Sequence, residues 1–457
     1  MSKSFVYTII MKTIRFVFSV FFLAFLFSCQ DDLNYDLKTI NDNSTPSEIE
    51  RCNKNREINI AIISDIHYMD KSLLVKDGPA FQAYLAKDPK LLEYSSYILR
   101  AAVRDIIRKR PNLVLIPGDL TKDGERISHE RVASILKEFT MHGIKVVVTV
   151  GNHDVNNPEA QKYINDKTIS VPHLKADRIP FIYANCGFRN AIARDPNSLS
   201  YVNEPLRGLW IITIDANRYA ENTDKCITGG VIKPETLNWV LEQPAAAQAG
   251  GKTVIGMMHH GLMEHYQGQN IVDPGYVVEN SADDINSLID AGLKIILTGH
   301  YHATDITKKT LDNGKFVFDV ETGSTVTYPC TYRMLTISGD REHFTFRKQS
   351  TTALMGAEFD DAARTFSTSH LDGYFTYLLT NMGVPSPYNS VFAPWFTSSA
   401  MAHFAGDETP DGTLMTQMAT LTALGASDLA NALGSFWMDL GIPDNNVTLN
   451  MATGAVE

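Results

Sequence analysis

Cysteine, positive charge and long apolar runs are all scarce in this chain of 457 residues. It has 5 cysteines, none in the aspartate and histidine motifs described below, which excludes a thiolate-held zinc or iron–sulfur cluster there. Lysine and arginine number 41 against 52 acidic residues, for a formal net charge of -11. Without basic clusters, long nucleic acid is disfavoured as a partner. A content of 44% hydrophobic and 20% charged residues is typical of a globular protein and argues against a multi-span membrane protein.

The one extended apolar run, residues 16–27, lies close to the N-terminus. Lys12 and Arg15 precede it and Ser28-Cys29 follows it, an arrangement typical of a secretory signal. The run is too short to span a membrane comfortably. It resembles a bacterial lipoprotein signal, which implies cleavage before Cys29 and attachment of lipid to that cysteine.

Such a signal, residues 1–28, predicts that the rest of the chain lies in the bacterial cell envelope outside the cytoplasm, on the periplasmic face or the cell surface. The N-terminal lipid would hold it to the membrane. An uncleaved membrane anchor is the alternative and has the same consequence. Residues 29–55, rich in Asn, Asp, Ser and Lys, predict a flexible tether. Loss of Lys3, Lys12 and Arg15 with the signal changes the formal charge from -11 to -14.

Four cysteines remain beyond the lipidation position, namely Cys52, Cys186, Cys226 and Cys330. An even number in an oxidising compartment allows one or two disulfides. Their wide and irregular spacing is equally compatible with four separate thiols.

From residue 57 onward, short β-branched runs alternate with amphipathic stretches, which predicts strands joined by crossover helices. Five runs end close to an aspartate, asparagine or histidine; they cover residues 58–64, 113–117, 145–150, 253–258 and 293–298. Helices are predicted over residues 92–109, 127–142 and 234–243, and further strands over 316–320 and 334–337. The predicted fold class is α/β, a two-sheet β-sandwich flanked by helices, over residues 56–349.

After about residue 350 the strand alternation is lost, and Ala, Met, Leu, Phe and Thr dominate. Gly and Pro segments separate four predicted helices, at residues 353–366, 371–381, 413–424 and 428–440. Residues 350–457 are therefore predicted to form a small, mainly helical C-terminal appendage. Packing of this appendage over the rim of the site described next is a hypothesis.

Metal-type side chains follow the five runs in short motifs. These are Asp65-Ile66-His67, Gly118-Asp119, Gly151-Asn152-His153-Asp154, Met257-Met258-His259-His260 and Gly299-His300-Tyr301-His302. Because the active sites of open α/β sheets lie at the carboxyl ends of strands, we expect these side chains to converge. Carboxylate and imidazole donors suit Mn, Fe or Zn, and two such divalent cations roughly 3.5 to 4 Å apart can clamp a phosphoryl group.

This ordered set of motifs resembles the calcineurin-like metallophosphoesterase superfamily over about residues 57–325. The resemblance implies a centre of two divalent ions. The first ion would be held by Asp65, His67 and His302, the second by Asn152, His259 and His300, with Asp119 as the bridge between them. It also implies in-line attack on phosphorus by a metal-bridging hydroxide, with His153 stabilising the phosphoryl group or protonating the leaving oxygen. Asp154 would orient His153.

Two departures from the family pattern refine this resemblance. The family usually shows His-x-Pro, with the first imidazole on the metal, whereas Gly261 replaces the proline here. Strand alternation sends His259 and His260 to opposite faces, so only one of them ligates, and His259 is the prediction. Purple acid phosphatases have a tyrosine three residues after the bridging aspartate, where this chain has Lys122. The chain is therefore similar to non-purple members, and its string 118–124 resembles that of class III cyclic nucleotide and glycerophosphodiester phosphodiesterases.

The resemblance implies a metal-dependent phosphoesterase that acts on a small phosphorylated substrate, with phosphodiesters slightly favoured. A phosphomonoesterase of the same fold, a non-catalytic surface lipoprotein that binds phosphoesters, and an inactive scaffold are the alternatives. His129 and His265 are candidate substrate contacts, and a cap or a packed position is the alternative for each. Selectivity depends on the loops 68–91, 155–200 and 261–281, and the sequence indicates no oligomeric state.

Overall fold

Strands form where the β-branched runs predict them, within the residues that the computed structural model describes: 56–75, 78–406, 408–437 and 442–457. The predicted signal, the predicted lipidation site Cys29 and the whole predicted tether lie outside these residues. The strands are β1 (Ile58–Ile62), β2 (Leu113–Ile116), β3 (Lys145–Val148), β4 (Gln161–Ile164), β5 (Lys167–Ser170), β6 (Ala191–Arg194), β7 (Tyr201–Leu206), β8 (Leu209–Ile214), β9 (Thr253–Met258), β10 (Ile295–Thr298), β11 (Asp305–Thr310), β12 (Phe316–Glu321), β13 (Thr331–Ile337), β14 (His343–Ser350) and β15 (Asn446–Asn450).

The helices flank these strands and then dominate the C-terminal region. They are α1 (Pro79–Leu85), α2 (Ser95–Lys109), α3 (Arg126–Met141), α4 (Ile179–Ile182), α5 (Pro234–Ala249), α6 (Gln269–Val272), α7 (Ala282–Asp290), α8 (Thr351–Met355), α9 (Ala357–Asn381), α10 (Tyr388–Ala405), α11 (Gly412–Ala423) and α12 (Ser427–Ser435). None of them has the length and apolar character that a membrane span requires, within the described ranges.

The strands build two mixed sheets and a separate hairpin of β4 and β5. The first sheet has the order β15-β14-β13-β1-β2-β3, and its strands β1, β2 and β3 are parallel. The second has the order β11-β12-β10-β9-β8-β7-β6, with β8, β9, β10 and β12 parallel. The predicted ligand motifs follow the carboxyl ends of β1, β2, β3, β9 and β10, which are parallel strands of the two sheets.

The two sheets pack face to face through one apolar core. Ile60 and Leu115 of the first sheet belong to the same buried cluster as Ile255 and Leu297 of the second. Because side chains alternate along a strand, Ile296 points the other way, into a cluster beneath helices α5 and α7. The observed sandwich flanked by helices confirms the predicted fold class.

The C-terminal region is mainly helical, as predicted, but its details differ from the prediction. The two helices predicted at 353–366 and 371–381 are replaced by α8 and the single long helix α9. Helix α10 was missed because Pro394 lies inside it and its apolar residues follow no clear period. The strand β15 was also missed; it pairs with β14 and returns the chain to the first sheet. Residues Glu57–Glu457 group into one compact unit, and a domain boundary at 349–350 stays a prediction.

Candidate dinuclear metal centre

The backbone turns sharply where the ligand-bearing strands end. Five predicted ligands have a positive φ, a conformation that is strained for non-glycine residues and that concentrates at functional sites. They are Asp65 (49°), His67 (39°), Asp119 (46°), His300 (78°) and His302 (70°). Gly151 lies against them without a side chain, because an added Cβ would overlap the Asp119 carboxylate. These turns aim the ligand side chains into one shared space.

The first group of ligands consists of Asp65, His67 and His302. The Nε2 atoms of His67 and His302 are 3.1 Å apart, and His302 Nε2 is 3.4 Å from Asp65 Oδ1. The backbone N–H of His300 donates to both oxygens of Asp65, at 3.2 and 3.1 Å, and so fixes that carboxylate. The three donors surround a space of the size that one metal ion requires.

The second group consists of Asn152, His259 and His300. His259 Nε2 is 3.2 Å from Asn152 Oδ1, and the ligand atoms of Asp119, His259 and His300 lie within 4.8 Å of one another. His260 points away, where its Nε2 donates to the Thr228 carbonyl at 2.8 Å. The two imidazoles point to different sides, as strand alternation predicts, and the geometry favours His259 as the ligand, as the resemblance implies.

Asp119 lies between the two groups. Its Oδ2 is 3.5 Å from His67 Nε2 and 3.2 Å from His259 Nε2, so a single oxygen borders both. Burial acts to raise the pKa of Asp119, but the histidines around it, His259 foremost, hold that pKa well below its usual range. The carboxylate is therefore ionised, and its position suits a ligand shared by both groups.

The ring nitrogens that face away from the cluster are held by backbone carbonyls. His259 Nδ1 donates to Pro117 O at 2.9 Å, and His300 Nε2 donates to Gly275 O at 3.2 Å. Each bond places the proton on the outer nitrogen and leaves a lone pair on the inner one. Lone pairs from imidazoles and carboxylates that face one another at such distances repel unless a cation lies between them, so the donor set fits two divalent metal ions.

His153 borders the cavity beside this centre, and the carboxylate that orients it is not the predicted one. Its Nδ1 is 2.9 Å from Asp123 Oδ1. Asp154 instead accepts hydrogen bonds from the backbone N–H groups of Leu120, Thr121 and Gly151, at 3.1, 3.0 and 2.9 Å. The prediction that Asp154 orients His153 is therefore wrong, because both Asp154 oxygens are occupied in joining two ligand loops.

Asp123 was missed as a functional residue, although it lies in the string 118–124 that the sequence analysis singled out. It is paired with Lys122, which is buried with its ammonium 4.1 Å from the centroid of the Tyr84 ring. Lys122 occupies the position of the purple acid phosphatase tyrosine, yet its ammonium contacts Asp123 rather than the ligand cluster. The only sequence feature that pointed to Asp123 was its position four residues after Asp119, the predicted bridging aspartate. The contact of Asp123 with His153 follows from the geometry of the turn between the two aspartates.

We expect Asp123→Asn to lower kcat for phosphate ester hydrolysis by about 10- to 100-fold, because His153 loses its orienting anion. Metal content should stay at the parental level, since Asp123 lies outside both ligand groups. Steady-state kinetics together with metal analysis test this, with the exposed Asp177→Asn as the matched control. A variant with parental kcat, or one that loses metal along with activity, would contradict the assigned role.

The two candidate substrate histidines are buried and bonded within the protein. His129 Nδ1 is 2.8 Å from Tyr183 Oη, and its Nε2 donates to the Asp154 carbonyl at 2.8 Å. His265 Nδ1 is 2.6 Å from Asp305 Oδ1. Neither residue lines the cavity beside the metal ligands. Their positions favour the packed alternative over substrate contact.

Cysteine pairing is settled for three of the chain's cysteines. Cys186, Cys226 and Cys330 are all free, while Cys52 lies outside the described residues. Cys226 has a local role instead: its thiol donates to the Asn152 carbonyl at 3.0 Å and lies 3.5 Å from Asn152 Nδ2. The thiol therefore helps to present the amide oxygen of Asn152 to the second ligand group.

The strand-end ligands, the shared aspartate and the two-sheet sandwich together define a metal-dependent hydrolase. The model of one family, calcineurin-like phosphoesterase, matches residues 58–304, which is more than half of the chain. The chain belongs to the calcineurin-like phosphoesterase family.

The chain is also similar, over part of its length, to several solved structures. No curated protein shows a significant match. A dimetal phosphatase from Danio rerio is 14% identical over 64% of this chain and 96% of its own, with a TM-score of 0.43. A putative 5'-nucleotidase from Staphylococcus aureus is 12% identical over 69% of this chain and 59% of its own, with a TM-score of 0.37. The chain thus spans about three-fifths of the length of that nucleotidase.

Proposed function

We propose that this protein hydrolyses phosphate esters with two divalent cations, drawn from Mn, Fe and Zn, and cleaves phosphodiesters somewhat faster than monoesters. The observation that carries the proposal is the single Asp119 oxygen that borders ligand nitrogens of both groups, at 3.5 and 3.2 Å. Such a shared carboxylate is what a two-ion phosphoryl clamp requires. The diester preference is supported by the string 118–124, which resembles that of known phosphodiesterases.

The chain's own residues supply ligands, orientation and a proton. Bound cations would neutralise charge on the phosphoryl group and activate water by Lewis acidity. His153 borders the cavity, where it can donate to a phosphoryl oxygen or to the leaving oxygen. Burial opposes protonation of His153, but the carboxylates of Asp119 and Asp123 outweigh it and raise its pKa. This shift favours the protonated, donating form of His153.

Metal analysis combined with two chromogenic substrates tests the proposal. We expect about two ions per chain after supply of Mn, Fe or Zn, and faster turnover of bis(p-nitrophenyl) phosphate than of p-nitrophenyl phosphate. Faster turnover of the monoester would replace the diester preference by the phosphomonoesterase alternative. A chain with well under two ions and no turnover would be a scaffold, and one that binds phosphate esters without releasing product would be a binding protein.

We also propose that the mature chain begins at lipid-bearing Cys29 and is anchored in the cell envelope outside the cytoplasm. The support is the arrangement of Lys12, Arg15, the apolar residues 16–27 and Ser28. Cys29→Ser should release the protein from the membrane fraction, as measured by fractionation and intact mass. Unchanged partitioning of the variant, or an unmodified Cys29 in the parent, would refute the anchor.

A further inference from the structure

The metal ligands open into a cavity of about 520 Å³ that is polar at one end and apolar at the other. The polar end is formed by metal-ligand residues and His153. The apolar end, here called the apolar wall, comprises Leu371, Phe375, Leu379, Phe396, Leu429 and Phe436. A volume of this size is typical of sites for small organic ligands, which occupy roughly 300–1,000 Å³. One continuous space therefore joins a phosphate-binding centre to a hydrocarbon-like surface.

The apolar wall comes from the C-terminal helices. Leu371, Phe375 and Leu379 recur every four residues along α9, so they occupy one face of that helix. Phe396 of α10 packs against Phe375 with ring centroids 5.7 Å apart. These side chains are almost wholly removed from solvent and belong to a buried cluster of their own. The C-terminal region thus contributes side chains to the lining of the cavity.

Two tyrosines join the polar end to the apolar wall. The Tyr276 ring lies 4.7 Å from the His300 ring and 4.9 Å from the Tyr301 ring, between centroids. Tyr301 is the middle residue of the motif that supplies His300 and His302, and it packs against the cluster that contains the apolar wall. A ligand whose phosphate lies at the metal centre would therefore extend along these rings toward α9 and α10.

The chemistry of the wall favours a hydrocarbon over a nucleoside. Among its described neighbours from α9, α10 and α12 that line the cavity, only Tyr374 and Asp428 carry a polar side-chain atom, and both are exposed. The edge of a purine or pyrimidine requires hydrogen bonds and finds no partner deep in such a wall. Lys87 and Lys90 also border the cavity, where the ammonium of Lys90 is paired with Asp88 at 3.1 Å.

We infer that the cavity binds an amphiphilic phosphate ester, with the phosphate at the metal ligands and an alkyl chain against the apolar wall. The inference rests on the proposed function and names its substrate class. Exposed apolar residues at the mouth, Ile271 and Met382, extend the same surface outward. Each methylene buried in an apolar site strengthens binding by roughly two- to fourfold. The dependence of affinity on alkyl-chain length therefore measures the contribution of the apolar wall.

A series of n-alkyl p-nitrophenyl phosphates, from methyl to octyl and below micelle-forming concentrations, tests this on the full chain loaded with Mn. We expect kcat/KM to rise by roughly two- to fourfold per methylene until the cavity is filled. Phe375→Ala should lower kcat/KM for the octyl ester by about tenfold more than for the methyl ester. Leu378 is half-buried and lines the same cavity, so Leu378→Ala repeats the test if Phe375→Ala folds poorly. The matched control is Tyr377→Ala, at an exposed position on the same helix.

Binding of non-hydrolysable n-alkyl phosphonates to the metal-free chain, measured by calorimetry, separates this inference from the proposed function. Octylphosphonate should bind more tightly than methylphosphonate, and Phe375→Ala should remove most of the difference. Two results would contradict an amphiphilic substrate. One is equal turnover of the methyl and octyl esters together with equal phosphonate binding. The other is faster turnover of thymidine p-nitrophenyl phosphate than of the octyl ester. Chain-length-dependent binding without turnover of any ester supports the apolar site and refutes hydrolysis.

Discussion

Replacing Asp119 by asparagine should lower the turnover of phosphate esters by roughly a thousandfold or more. The substitution preserves the shape of the side chain and removes the charge of the one oxygen that borders both ligand groups. Paired cations contribute several kcal/mol of charge stabilisation to phosphoryl transfer, and about 4 kcal/mol corresponds to a thousandfold in rate. A neutral amide is a weaker ligand than a carboxylate, so we also expect one or both ions to be lost.

Turnover of bis(p-nitrophenyl) phosphate with added Mn, together with metal content, measures this effect. The exposed Asp312→Asn, in the turn between β11 and β12, removes the same charge far from the centre and should retain parental rates and metal. Equal rates for the parent and for Asp119→Asn would eliminate the dinuclear mechanism. Loss of metal and activity in the Asp312 variant as well would point to a global effect instead.

His265→Gln should lower the free energy of unfolding by about 3–5 kcal/mol at pH 6, because it removes the cation from a buried ionic cluster. His265 Nδ1 lies 2.6 Å from Asp305 Oδ1, and its Nε2 lies 3.3 Å from Asp319 Oδ2 and 3.8 Å from Glu321 Oε2. All four side chains have at most 1% of their surface exposed. Glutamine keeps hydrogen-bonding capacity but removes the positive charge that faces Asp305 and Asp319 directly; His403 Nδ1 lies farther away, 4.0 Å from Asp305 Oδ2.

The stability difference should depend on pH in a defined direction. Burial acts to lower the pKa of His265, but Asp319 and Asp305 outweigh it and raise that pKa well above its usual value. The contribution is therefore present in full below about pH 6.5, the ordinary histidine pKa, and is lost as the pH rises through the raised pKa. Guanidinium denaturation at a series of pH values measures it, with the exposed His142→Gln as control. A difference that grows with pH would contradict the assigned charge state.

The ligand set illustrates how far local sequence carries a prediction. Five β-branched runs indicated five strands, each closely followed by a metal-type residue, and the resemblance to the superfamily gave those residues their ligand roles. Asp65, Asn152 and His300 lie where those runs end, because strand propensity and the turn that stops it are properties of a few neighbouring residues. Strand alternation indicated that only one of His259 and His260 ligates, and the His-x-Pro pattern of the resembling family gave the preference for His259.

Contacts between distant loops were beyond such reasoning. Asp154 adjoins His153 in sequence, yet it turns toward the backbone of Leu120 and Thr121, more than thirty positions earlier. Asp123, from that earlier loop, contacts His153 instead. Adjacency in sequence does not decide which carboxylate reaches an imidazole when two loops pack against each other, because the packing sets the distance.

In the C-terminal region, too, local structure was predicted from the sequence and long-range contacts were not. Its helical character was predicted from composition and from Gly and Pro breaks, but α10 was missed because Pro394 breaks the expected pattern. The apolar faces of α9 and α10 have no local feature that tells a core from a ligand pocket. Only their placement beside the cluster of His300 and His302 makes Phe375 and Phe396 part of a cavity wall.

The amino-acid sequence by itself determined the strands that precede the metal-type donors and the identities of those donors, because propensity and donor chemistry belong to single residues and short segments. The tertiary structure alone decided that Asp123 holds His153 and that side chains more than sixty residues beyond the last ligand line the same cavity. Those features depend on distances between segments far apart in the chain, and such distances exist only once the sheets and helices have packed.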